Sequence, residues 1–210
     1  MRALAHQETP IGLRPRRPIV CGIDILGLVV TLSVLASYKP SPQVAILPIA
    51  IAAQYAVSCV YHWLPQHILR QKADHLMIVV LIGVTVVPYW STLLSETEML
   101  WRLSTLTILT ASICTIRWFC FPWSKVGGWL YVMLGSFGLT ISFYEFQEWL
   151  PLLGLVGFWL GIALYVVQFM VYTNEKPDPI PEVFGFREIQ HVVLLCATTL
   201  QTVTALKYLS

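Results

Sequence analysis

Residues 43–64 read QVAILPIAIAAQYAVSCVYHWL. As a helix rising 1.5 Å per residue this stretch reaches about 33 Å, enough to cross the hydrocarbon core of a bilayer. Its far end carries Ser58-Cys-Val-Tyr-His62, so the span closes on polar chemistry. Outward from it, comparable apolar stretches fall at 19–37, 75–94, 99–120, 126–144, 149–172 and 188–208. Short connections marked by Pro, Ser and charged residues separate them, and only the one from Asn174 to Phe184, with Pro177, Pro179 and Pro181, is long. The pattern predicts an all-α membrane protein: a cytoplasmic segment over 1–18, then a seven-helix membrane domain over 19–210. The composition agrees, because 57% of the 210 residues are hydrophobic and only 11% charged, far more apolar than a soluble domain. A net charge of +2, carried by dispersed basic residues, excludes a nucleic-acid surface.

Trp63, Trp90, Trp101, Trp118, Trp123, Trp129 and Trp149 fall near the span ends, where indoles favour the headgroup level, and only Trp159 sits well inside a span. Orientation follows from the basic residues. With the N-terminus inside, Arg2, Arg14, Arg16, Arg17, Arg70, Lys72, Arg117, Lys125, Lys176 and Arg187 lie on the cytoplasmic side; Lys39, Arg102 and Lys207 remain outside with Glu96, Glu98, Glu145 and Glu148. The expected topology is N-terminus cytoplasmic and C-terminus outside, in a plasma or inner cell membrane.

The arginines before Ile19 resemble the charged start of a signal peptide. The apolar run that follows is too long for one and carries Asp24, so it reads as an uncleaved first helix. The cysteines, Cys21, Cys59, Cys114, Cys120 and Cys196, are odd in number and lie in or beside apolar segments, which fits packing thiols. No internal repeat is visible.

The predicted topology brings Ser58 and His62 from helix two, Asp74 from the start of helix three, and Glu188 and His191 from the start of helix seven to one depth near the cytoplasmic leaflet. Ionisable groups there are costly and point to function. Ser58 and His62 share a helix face at i,i+4, as do Arg187 and His191. Glu188 and His191, at i,i+3, have a spacing that can offer a carboxylate and an imidazole to one metal. His62, His191 and Glu188 with a water would make an open, hydrolytic zinc site.

These residues resemble the progestin and adipoQ receptor family, which includes the haemolysin III-like proteins. The resemblance rests on Ser58-x-x-Tyr61-His62, Asp74-His75, Leu81-Ile82-Gly83-x-Thr85-x-x-Pro88 and Glu188-x-x-His191, within the seven-span layout. It implies relation to alkaline ceramidases and a zinc ion held by three histidines. His62 and His191 would be ligands, with Ser58 and Asp74 orienting or polarising the metal-bound water, and the reaction would be hydrolysis of a lipid amide. This sequence departs from the pattern at Arg187, where the first histidine of the family's last-helix pair belongs. A guanidinium cannot ligate zinc. Either Glu188 takes the vacant place or the metal is lost, in which case Arg187 would pair with Asp74 or Glu188. Gln201 stands where many members carry a further histidine.

Two functions follow from these residues: a zinc-dependent lipid amide hydrolase or membrane homeostasis protein, and a non-enzymatic sensor or interaction protein that has lost the metal. Both have membrane lipids as partners. A transporter or retinal protein is disfavoured, since no matching broken helices and no lysine in the middle of helix seven occur. Of the remaining polar residues, Asp24 is expected as an interfacial carboxylate and His75 as a residue that caps a helix or faces the headgroups. His67, Arg70 and Lys72 are expected to form a loop cluster touching anionic lipid, Arg102 and Arg117 to snorkel, and Glu145 with Glu148 to make a solvated helix end.

Overall fold

The computed structural model describes residues 17–120, 124–180 and 183–210, and no strand occurs among them. The helices are α1 (Pro18–Tyr38), α2 (Pro42–Trp63), α3 (Ile68–Val84), α4 (Val87–Leu93), α5 (Glu96–Phe119), α6 (Ser124–Thr140), α7 (Phe143–Trp149), α8 (Leu152–Asn174) and α9 (Phe186–Leu209). Most of the segment 1–18 expected in the cytoplasm, including Arg2, Arg14 and Arg16, lies outside the described residues, as does Trp123.

Among the described residues, six segments are long and apolar enough to cross a membrane: α1, α2, α3 continued by α4, α5, α8 and α9. The stretch expected at 126–144 forms the 17-residue α6, which stops at Thr140. The stop is held by buried polar groups. Arg102 Nη1 donates to the Ile141 carbonyl at 2.7 Å, and Trp90 Nε1 donates to the Ser142 hydroxyl. Carbonyls released by a helix break need such partners in an apolar setting. Two expectations are thereby corrected. Arg102 does not snorkel, being buried and paired with Glu145; Trp90 faces no headgroup, being fully buried.

Local chemistry explains several helix starts. Pro42 occupies the first turn of α2, where its missing N–H costs nothing. Ser95 caps α5 by accepting from Glu98 N–H. α3 begins at Ile68, seven residues before the expected start, because His67 Nδ1 accepts from Leu69 N–H at 3.2 Å. Asp74 therefore stands nearly two turns inside a helix, where it is buried.

α9 packs against α8, α1 and α2, while α3 meets α2, α5 and α6. α1 and α2 run antiparallel in a register marked at three places. Arg17 N–H reaches the His62 carbonyl at 3.3 Å, Cys21 Sγ lies 3.9 Å from the Cys59 carbonyl, and Gly27 sits under the Tyr55 ring so closely that a Cβ there would collide with it. Lipid-facing surface is supplied by exposed aliphatic residues such as Leu26, Val29 and Ile108.

Candidate functional site

One face of α2 stacks Gln54, Ser58 and His62 at successive i,i+4 steps, and all three are buried. α3 answers with Asp74. Gln54 Nε2 donates to Asp74 Oδ1 at 3.3 Å, and Ser58 is hydrogen-bonded to the same carboxyl group. From α9, the His191 ring meets His62 edge-on, with centroids 5.1 Å apart and an interplanar angle of 83°. Ser58, His62, Asp74 and His191 thus line one cavity of ≈ 470 Å³ walled by α2, α3, α6, α8 and α9. Much of the remaining wall is apolar, with Ile78, Leu81, Ile162 and Phe169 among its residues.

Sequence reasoning missed the partner of His191. Asp24 on α1 is fully buried, and its Oδ1 lies 2.8 Å from His191 Nδ1. The contact sets the orientation of the imidazole, with Nδ1 turned to the carboxylate and Nε2 turned away from it. The expectation of an interfacial carboxylate at Asp24 is thereby corrected. Its partner is instead a base on another helix, and that pairing has no local signature.

Glu188 is not brought to the cavity. Its Oε2 accepts from Gly185 N–H at 2.9 Å, the reach-back half of a capping box, and its Oε1 lies 3.6 Å from Arg17 Nη1. Arg187 lies on the cavity wall and forms no ion pair with Asp74 or Glu188. His75 lines the same cavity and accepts from Arg117 Nη2 at 2.7 Å, so it is no headgroup residue; Arg117, expected to snorkel, is 5% exposed. Deeper in the bundle, Tyr55 and Thr198 share a 2.7 Å hydrogen bond. Gln201 accepts from Tyr89 and donates to the Phe158 carbonyl at 2.9 Å, so it serves helix packing.

The family model described as haemolysin-III related matches residues 19–202. This chain belongs to the haemolysin-III related family. That match runs from the start of α1 into α9, and with the apolar spans it makes the chain an integral membrane protein. No curated protein matches it as a relative.

The haemolysin-III resemblance implies zinc, and the donors present can be tested against it. Two imidazoles face one another, and His191 has the outer carboxylate that metal-binding histidines commonly use. The third imidazole of the family pattern is replaced by Arg187, and Glu188 is engaged by a helix cap and an arginine. Among the described residues, no three His, Cys, Asp or Glu side chains converge as a metal would require. The donor set does not fit a three-histidine centre.

Proposed function

We propose that this haemolysin-III related protein crosses the membrane seven times, with α6 as the short fifth crossing and the N-terminus in the cytoplasm. In this reading the cavity beside α9 holds a membrane lipid, and the protein acts as a non-hydrolytic lipid sensor or homeostasis factor in a plasma or inner cell membrane. Arg187 carries the proposal. It puts a permanent cation in a largely apolar cavity at the position where the family pattern supplies a metal ligand. The Ser58, Asp74 and Gln54 network and the Asp24–His191 pair then act as a buried polar scaffold that holds α1, α2, α3 and α9 in register.

The competing reading is a zinc-dependent lipid amide hydrolase in which His62 and His191 ligate the metal and Ser58 and Asp74 serve its water. The Asp24–His191 contact favours it. Elemental analysis of purified native protein, His62→Ala, His191→Ala and Arg187→His, together with ceramide hydrolysis, decides between them. The lipid-sensor reading expects no stoichiometric zinc and no hydrolysis in the native protein, with metal gained in Arg187→His. One zinc per chain, lost in both alanine variants, would replace it with the hydrolytic centre.

A further inference from the structure

The helix that turns Ser58 and His62 to the cavity presents Ala56, Val57 and Val60 from its other side. With Arg70 and Ala73 of α3, these residues line a groove of ≈ 300 Å³ on the outside of the bundle. Its other lining side chains are short and aliphatic, so the groove is hydrocarbon apart from the Arg70 guanidinium. The helix end sets its depth. Ala56 lies seven residues before Trp63, the last residue of α2, so at 1.5 Å per residue the groove reaches about 10 Å from that end. Trp63, Leu64, Ile68 and Leu69 are exposed around the connecting loop and give it an apolar rim suited to the headgroup level. Arg70 is turned toward this loop, where its Nη2 donates to the Pro65 carbonyl. That contact takes one of the five N–H donors a guanidinium carries. The basic residues expected as one loop cluster are divided between faces. Lys72 Nζ turns to α5 and donates to the Trp118 carbonyl at 2.6 Å, His67 Nδ1 caps α3, and Arg70 lines the groove. A held guanidinium above a hydrocarbon groove complements a molecule that joins an oxyanion to an alkyl chain, and the planar fork of arginine matches phosphate.

We propose that this groove binds an anionic glycerophospholipid of the surrounding leaflet, with its phosphate on Arg70 and one acyl chain against Ala56, Val57, Val60 and Ala73. The site is separate from the cavity beside α9, because none of the residues that line the groove lines that cavity. It therefore stands whether or not the cavity holds a lipid.

Native mass spectrometry of the full-length protein in detergent would compare four probes: dioleoyl phosphatidylglycerol, dioleoyl phosphatidylethanolamine, dioleoylglycerol and glycerol phosphate. The expected result is a phosphatidylglycerol held about fivefold more tightly than phosphatidylethanolamine, the preference that a single basic residue near an anionic headgroup supplies. Arg70→Gln should remove that preference, and Arg70→Lys should keep part of it, since the charge stays while the planar fork is lost. Ala56→Phe, at an exposed position, should fill the groove and weaken both phospholipids alike. A preference that survives Arg70→Gln, or phospholipid binding unchanged in Ala56→Phe, overturns the groove as the site. Equal binding of the two phospholipids to native protein overturns the choice of an anionic lipid. Dioleoylglycerol binding as tightly as phosphatidylglycerol overturns the phosphate contact, and glycerol phosphate binding as tightly overturns the acyl chain. The probe comparison needs only native protein, and Ala56→Phe leaves Arg70 in place, so the test stands even where Arg70→Gln does not fold.

Discussion

Asp24 on α1 and His191 on α9 stand 167 residues apart in the chain, and their side chains meet at 2.8 Å inside the bundle. The contact ties the first described helix to the last and sets the orientation of an imidazole that faces the cavity. Asp24 Oδ2 makes no further hydrogen bond among the described residues, so the pair depends on this one contact.

Removing one partner strands the other in an apolar interior. Asp24→Ala is therefore expected to lower stability by about 1–3 kcal/mol, the cost of an unsatisfied buried polar group. A double-mutant cycle with His191→Leu, read by unfolding in detergent, should show a coupling energy of roughly 0.5–3 kcal/mol. Additive losses would mean that the two side chains do not interact.

The α1–α2 register can be tested covalently. Cys21 and Cys59 oppose each other across the interface and neither is in a disulfide. Mild oxidation with diamide is expected to join them within one chain, since disulfides form only between closely opposed Cβ atoms. Peptide mapping that found Cys21 and Cys59 still alkylatable, with links only through exposed Cys120 or Cys196, would contradict the register.

Gly27→Ala should act at the same interface. Its new methyl group would overlap the buried Tyr55 ring, and Tyr55 is fixed by Thr198, so the ring cannot simply turn away. Overpacking of this kind costs about 1–3 kcal/mol. Gly22→Ala, at a position with open space, is the control and should be nearly neutral. Equal thermal stability of the two variants would refute the close approach.

Glu145, beyond the end of α6, gives a pH dependence. Partial burial raises its pKa, but hydrogen bonding and charge from Arg102, with a backbone hydrogen bond, outweigh that and hold it below the ordinary glutamate range. A depressed carboxyl contributes stability above its unfolded value, about 4.3, and loses it as pH falls through the lower folded value. Native protein should thus lose stability relative to Glu145→Gln on acidification through that window, with the difference constant at neutral pH. A difference that instead grew as pH fell would reverse the assignment.

Much of the architecture was legible in the chain. Helical spans show in sequence because length and hydropathy are local properties, and the motif from Ser58 to Pro88 carried the family. Ser58 and His62 share one cavity with His191, as the i,i+4 spacing on helix two allows, whereas Asp74 joins them from inside α3 and not from its start. The early start of α3 escaped notice because an imidazole, not one of the usual capping side chains, accepts from Leu69 N–H. Trp90 and Arg102 were misplaced for a related reason. Position near a span end suggested the headgroups, but both turn inward to satisfy the backbone and side chain exposed where α6 breaks.

The sequence by itself determined that this is a helical membrane protein with Ser58, His62, Asp74 and His191 at related depths, because apolar length and helical period are written locally. Tertiary structure alone decided that Asp24 orients His191, that Glu188 closes a helix cap, and that Arg187 faces the cavity. These outcomes depend on which helix lies beside which face, and packing across distant segments settles that.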